Sequence, residues 1–232
     1  MNVLAFDTTL GACSAAVIGE GARAPEVFSV YEAREREHAE HLMPMIGQVL
    51  EQAGLRYEAL DAIAVTTGPG SFTGVRVGVA AARGLALATG VPLIGVTSLE
   101  VMAHCAMTRL SGVPHHLAII VDARRGEVYM AVFTGSGEVV SEPQALTPAQ
   151  ALDELPENGR VTLAGGGAHL VAMAAAEKGR SLEAVLPDLQ PDAAVLARMA
   201  LTRPPQDGPL HPLYLRPPDA KPQTGKSLPR RG

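Results

Sequence analysis

"TTGPGSFTGVRVGVAAARGLA", residues 66–86, decides how this chain is read. Gly68, Gly70 and Gly74 stand between an apolar run and a long alanine-rich segment. A glycine loop that opens a helix offers N–H groups and a positive helix end to an anion. Yet the loop misses the standard phosphate patterns. A Walker loop places Lys and then Ser or Thr after its last glycine, whereas Val75 and Arg76 follow Gly74. The dinucleotide fingerprint G-x-G-x-x-G fails because Gly74 comes one residue late. The helix that follows carries Gly74, Gly78 and Ala82 as a row of small residues, beside an apolar stripe of Val75, Val79, Ala82, Ala86 and Thr89. Small rows let another backbone come close. Three uses stay open: packing on the chain's own sheet, contact with a partner's helix, and a phosphate cradle.

Upstream of the loop, an apolar strand from Val3 to Phe6 ends in Asp7, Thr8 and Thr9. A turn at Gly11 leads to a strand over 12–18, and a third strand lies near 27–31. His38, Leu42, Met45 and Val49 then fall at helical spacing, with Ile46, Leu50 and Ala53 broadening the face and Gly54 as a stop. Pro44 kinks this helix unless it starts late, near residue 40. A strand over 62–66 enters the glycine loop. Downstream, a helix over 73–89 and a strand over 93–96 lead to "TSLE", where Thr97 and Glu100 predict a capping box. The helix it starts buries Leu99, Met102, Ala103 and Ala106.

The second half repeats this grammar. "HLAIIVD" ends in Asp122, "ARRG" turns into "EVYMAVF", and a third strand follows "GSGE". Thr147 and Pro148 start a helix. "RVTLA" runs into "GGG" and an alanine-rich helix from Ala168, and a last helix covers about 191–201. Two halves of one order predict two related α/β lobes rather than one doubly wound sheet. After Arg216 the sequence becomes basic and rich in proline, with little to bury, which predicts a disordered tail.

Composition narrows the function. Of 232 residues, 47% are hydrophobic, enough for a real core, and the net charge of −5 does not suggest a general nucleic-acid binder. Cys13 and Cys105, in apolar contexts, read as buried small hydrophobes of a reducing cytosol. No signal peptide and no membrane span is expected, so the chain is expected in the cytoplasm.

Two residue sets suggest chemistry. His38 and His41 lie on one helical face, but zinc needs three or four ligands, and no carboxylate or thiolate completes the set. Asp7 and Asp122 each end a strand before a turn, where actin-like ATPases handle phosphate and magnesium, and "AGGG" at 164–167 sits where they hold adenosine. Ordinary turn chemistry accounts for the same residues.

With these pieces in place, the sequence resembles the TsaB family, formerly called YeaZ. The matching segments are "LAFDTT", "HAEHLMPMI", the glycine-loop stretch, "GVTSLE", "VDARRGEVYMAVF" and "LYLRPPDAK". The resemblance implies two actin-like ATPase lobes of the ASKHA, RNase H-like kind, each a mixed sheet with flanking helices. Residues 1–111 would form the first lobe, 112–216 the second and 217–232 the tail. It implies a non-catalytic subunit of the machinery that makes threonylcarbamoyladenosine in tRNA, with the catalytic subunit TsaD and the ATPase TsaE as partners. Alone, such a subunit forms a homodimer; it meets tRNA indirectly, through the complex, and no membrane. No cofactor is held tightly, while ATP is used by the complex.

The resemblance also implies a helical bundle with TsaD, built from the helix after His38 and the helix after Gly74. The implied interface is His38, His41, Leu42, Met45, Val49, Gly74, Val75, Gly78, Val79 and Ala82. Asp7, Thr8, Thr9, Asp122, Gly165 and Gly166 become a vestigial nucleotide site. The chain departs from active relatives at H-x-x-H, where a metal pair is H-x-x-x-H, and at Thr8, where a phosphate loop has Gly. Both departures count against the alternatives, a stand-alone actin-like ATPase or kinase and an M22-type metalloprotease.

Overall fold

The computed structural model describes residues 1–19, 26–34 and 36–216. The first half contains β1 (Val3–Asp7), β2 (Ala12–Gly19), β3 (Glu26–Ala33), α1 (His38–Ala53), β4 (Ala62–Thr66), α2 (Phe72–Thr89), β5 (Leu93–Val96) and α3 (Ser98–Arg109). The second contains β6 (His116–Arg124), β7 (Glu127–Thr134), β8 (Val139–Leu146), α4 (Pro148–Asp153), β9 (Val161–Ala164), α5 (Ala168–Glu177), β10 (Ala184–Val185) and α6 (Ala193–Ala200). The strand orders are β3-β2-β1-β4-β5 and β10-β9-β6-β7-β8. Read from its outer hairpin inward, each sheet has the same topology. Its first three strands pair antiparallel, and its last two join in parallel. The repeated order read from the sequence is therefore a repeated fold.

Side chains alternate across each strand, and both faces of the first sheet are apolar. Leu4, Phe6, Val17, Ile63 and Val65 face α1 and α2, while Val3, Ala5, Ala16, Ala62 and Ala64 face the middle of the molecule. In the second sheet Ala118, Ile120, Met130, Val132 and Leu163 face α4 and α5, while Leu117, Ile119, Ala131 and Phe133 face the middle. The result is five layers: α1 and α2, a sheet, α3 and α6, a sheet, α4 and α5.

The middle layer crosses between halves. Helix α3 packs on β6 and β7, and α6 packs on β1, β2, β3 and β4. Alanines on the first sheet meet Ala193, Ala197 and Ala200 of α6, so helix and sheet approach closely. The chain then stays with the first lobe: Leu210 is buried in the core under α1 and α2. Residues 193–213, expected in the second lobe, thus complete the first. The expected tail at 217–232 lies outside the described residues.

Local signals explain most boundaries. Gly54 ends α1 at φ 64°, and Ser71 caps α2 by accepting from Gly74 N–H at 3.0 Å. Helix α1 starts at His38 despite Pro44, which sits on its exposed side. There the Glu40 carbonyl, denied its usual donor, can turn to water. The Thr97 capping box forms only in half. Thr97 Oγ1 accepts from Glu100 N–H at 3.2 Å, but the Glu100 carboxylate is taken by Arg203. A complete box forms instead at Thr147 and Gln150. Among the described residues, no helix is long and apolar enough to cross a membrane.

Candidate functional site

The glycine loop is filled by the chain itself. Ser71 N–H donates to the Thr9 carbonyl at 2.7 Å, and Thr8 Oγ1 donates to the Gly74 carbonyl at 2.7 Å. A Cβ on Gly70 would stand 2.3 Å from the Thr9 carbonyl oxygen, and one on Gly74 2.0 Å from that of Thr8. On Gly78 it would stand 2.8 Å from Thr8 Oγ1. Gly70, Gly74 and Gly78 are thus the track on which the turn after β1 rests. Only glycine permits that approach. The phosphate cradle is occupied by backbone.

Beneath this turn lies Asp7, fully buried. Its Oδ1 accepts from Thr66 Oγ1, from Thr9 Oγ1 at 2.6 Å and from Thr9 N–H at 3.2 Å. Its Oδ2 has no partner among the described residues. Burial pushes the carboxyl up to about 6, against the pull of the threonine hydrogen bonds, and the Asp192 charge adds to the rise.

The second half uses the same device. A Cβ on Gly165 would meet the Ile120 carbonyl oxygen at 2.5 Å, and one on Gly167 would meet Asp122 N at 2.8 Å. The glycines after β9 therefore seat a helix against β6. Asp122 is spent on its own turn: it accepts from Arg124 N–H at 2.7 Å and meets the Arg124 guanidinium at 3.3 Å. It lines a cavity together with Gly11, Gly70 and Ser71, whereas Asp7 lies buried under Thr9. The six residues expected to form a nucleotide site do not converge as a set. Thr8 and Thr9 are buried, Gly165 packs on β6, and Gly166 lies beside Pro187.

Between the lobes runs a cleft of about 460 Å3, lined by Pro69, Phe72, Arg124, Tyr129, Tyr214 and Arg216 among others. The Arg76 guanidinium lies 3.6 Å over the Phe72 ring and donates to Tyr214 Oη at 2.8 Å. The far wall is the β6–β7 turn, where Arg124, Arg125 and Gly126 have φ of 62°, 58° and 79°.

The expected interface needs correction. Leu42, Met45, Val49, Val75, Val79 and Ala82 belong to the core on the first sheet, and Gly74 and Gly78 are buried with them. His38 is buried too, with Nε2 donating to the Arg34 carbonyl at 2.8 Å, while His41 Nδ1 lies 3.6 Å from a Glu32 carboxylate oxygen. The two histidines serve separate contacts. A sheet face of Leu, Phe, Val and Ile must be covered, and the widest stripes on α1 and α2 cover it. Of the residues expected at the interface, only His41 is partly open. The small-residue row serves helix-on-sheet packing.

What remains outside is a second face. Ala39, Met43, Pro44 and Gly47 on α1, and Ala80, Gly84, Leu87 and Ala88 on α2, are exposed. Leu87 is 89% exposed and Met43 44%. Among the described residues, a Cβ on Gly47 or on Gly84 would meet nothing within 4 Å. Most of these residues escaped the sequence reading because small side chains leave a weak hydrophobic signal, and Met43 and Leu87 stand too isolated to form a stripe.

A family model described as TsaD, tRNA N6-adenosine threonylcarbamoyltransferase, matches residues 30–187. The chain is 35% identical to the tRNA threonylcarbamoyladenosine biosynthesis protein TsaB of Haemophilus influenzae, over 67% of this chain and 68% of that protein. The chain belongs to the TsaB family. The Escherichia coli TsaB is 43% identical over 57% of this chain, and the match spans about half, 55%, of that relative. A crystal structure from Pseudomonas aeruginosa, described as an uncharacterized protein with similarity to peptidase YeaZ, superposes with a TM-score of 0.78 at 31% identity. It covers 93% of this chain and 99% of the other. Each of the TsaB-family chain's two lobes is a five-stranded mixed sheet with flanking helices.

Proposed function

We propose that this chain is a non-catalytic subunit of the machinery that makes threonylcarbamoyladenosine in tRNA. It pairs with the catalytic subunit TsaD through the outer face of α1 and α2. Family membership supports the pathway, and the filled turn after β1 supports the lack of catalysis.

The observation that carries the pairing is the pair of exposed glycines, Gly47 and Gly84, within α1 and α2. Glycine inside a helix costs about 1 kcal/mol relative to alanine. Nothing among the described residues needs the missing Cβ at either place. A second helix crossing over them would need it, because small residues bring helix axes together. The surrounding Ala39, Met43, Ala80 and Leu87 then supply apolar contact at the centre of the interface. Within the complex this subunit holds no cofactor tightly, and ATP is used by the complex. The subunit reaches tRNA through TsaD and forms a homodimer through the same face when alone.

Reconstitution tests the reading. TsaD, TsaE, the threonylcarbamoyl adenylate donor and unmodified tRNA are combined with and without this chain. Modified adenosine is expected only with it, and none from this chain and tRNA without TsaD. Modification by this chain alone would overturn the proposal.

A further inference from the structure

The geometry points to residues 203–216 as a strap that sets the width of the cleft between the lobes, with Arg216 as its latch. Between α6 and Arg216 the backbone forms no regular element, yet it is pinned repeatedly. Arg203 pairs with Glu100 on α3. Gln206 N–H donates to the Leu93 carbonyl at 2.9 Å, and Leu213 N–H to that of Thr67 at 2.8 Å. Tyr214 accepts from Arg76, and its ring centre lies 5.5 Å from that of Phe72. From Gln206 to Tyr214, these anchors hold the strap to the first lobe.

Arg216 then reaches the second lobe. Its guanidinium donates to the Ala123 carbonyl at 2.9 Å and to the Arg124 carbonyl at 3.2 Å, and it pairs with Glu127. It also lies 5.5 Å over the Tyr129 ring. One side chain therefore ties the strap to the β6–β7 turn across the cleft.

The turn that Arg216 grips is strained. Arg124 and Arg125 hold a left-handed backbone that L side chains rarely adopt. Such residues persist where their surroundings over-determine them. Asp122 supplies one constraint by accepting from Arg124 N–H. Arg216 supplies another by holding two successive carbonyls with one planar fork. Without it the turn loses that constraint, and the cleft wall formed by residues 213–216 is released from the second lobe. Lysine would keep the charge facing Glu127 but cannot hold two carbonyls in fixed fork geometry.

Hydrogen exchange read by mass spectrometry on the full chain tests the latch, with Arg216→Ala and Arg216→Lys beside the original. In both variants the amides of residues 123–127 and of Leu213 should exchange about tenfold faster, with β1 to β4 keeping their protection. A second measurement places spin labels through Glu58→Cys and Glu142→Cys, the native Cys13 and Cys105 being buried. The distance distribution between lobes should broaden in Arg216→Ala. Three results would each overturn the inference: unchanged exchange at 123–127, faster exchange spread evenly over both sheets, or an unchanged distance distribution.

Discussion

Replacing Asp7 with Asn should make this protein more stable at neutral pH, by an amount set by burial. Asp7 is enclosed, its Oδ1 takes three donors, and its Oδ2 takes none. Its pKa rises from the ordinary 3.8 to about 6 in the folded chain, mainly through desolvation. A raised carboxyl pKa means that the folded state binds more protons than the unfolded state between those two values. Stability contributed by this group is therefore highest below pH 3.8, falls as pH rises, and is at its lowest above about 6. At about 1.36 kcal/mol per pH unit, the displacement corresponds to about 3 kcal/mol. Asparagine resembles the protonated carboxyl: its carbonyl can keep the three donors, and its amide takes the place of the unpartnered Oδ2. The difference in unfolding free energy between Asp7→Asn and the original should be only about 0.5 kcal/mol at pH 4. It should grow to about 3 kcal/mol in favour of the variant at pH 7.5. Urea unfolding followed by circular dichroism at intervals from pH 4 to pH 8 reads both curves. Other titrating groups cancel in the difference. A difference that stays flat across this range would show that Asp7 is not raised by burial, and the reasoning would be wrong.

Two glycines of α2 should respond in opposite ways. Gly74→Ala drives a Cβ to 2.0 Å from the Thr8 carbonyl and should cost about 3 kcal/mol, whereas Gly84→Ala meets open space and should add about 1 kcal/mol; thermal melts distinguish them. The two faces of α1 should separate in the same manner. Val49→Asp, fully buried, should cost about 3–5 kcal/mol and unfold much of the population. Met43→Arg should shift stability by no more than about 0.5 kcal/mol while weakening pairing with TsaD about tenfold or more. Sedimentation of the mixed subunits reads the pairing, and tight pairing by Met43→Arg would remove α1 from the proposed interface.

The repeated order of strands and helices was legible because apolar periodicity changes cleanly from two to helical spacing at His38 and again after Gly74. The inner face of α1 was legible for the same reason: His38, Leu42, Met45 and Val49 do line one side. What that side meets was not legible, since the same stripe suits a sheet or a partner. The sheet is nearer, and it takes the stripe. The exposed face was hidden by a composition dominated by Ala, Gly and Pro, with Met43 and Leu87 as isolated large residues. β10, with only Ala184 and Val185, is too short for any period to show. The half-formed cap at Thr97 depends on Arg203, which lies 103 residues beyond Glu100. The glycines at 165–167 looked like a ligand contact because close approach to a ligand and to a strand demand the same missing Cβ.

The exchange of α3 and α6 between the sheets bears on how the chain reaches its native state. During synthesis the first sheet can gain α1 and α2 as soon as they emerge, but its other face stays open until α6 has been made. Helix α3, finished early, has no second sheet to lie on until β6 and β7 exist. Neither half by itself covers both faces of its sheet, so the final closure joins contacts far apart in sequence. Such contacts are slow to form, and open apolar faces invite aggregation meanwhile. Two fragments divided between Arg109 and His116 would each lack the helix that the other carries. Mixed in solution, they should recover native structure together and not apart.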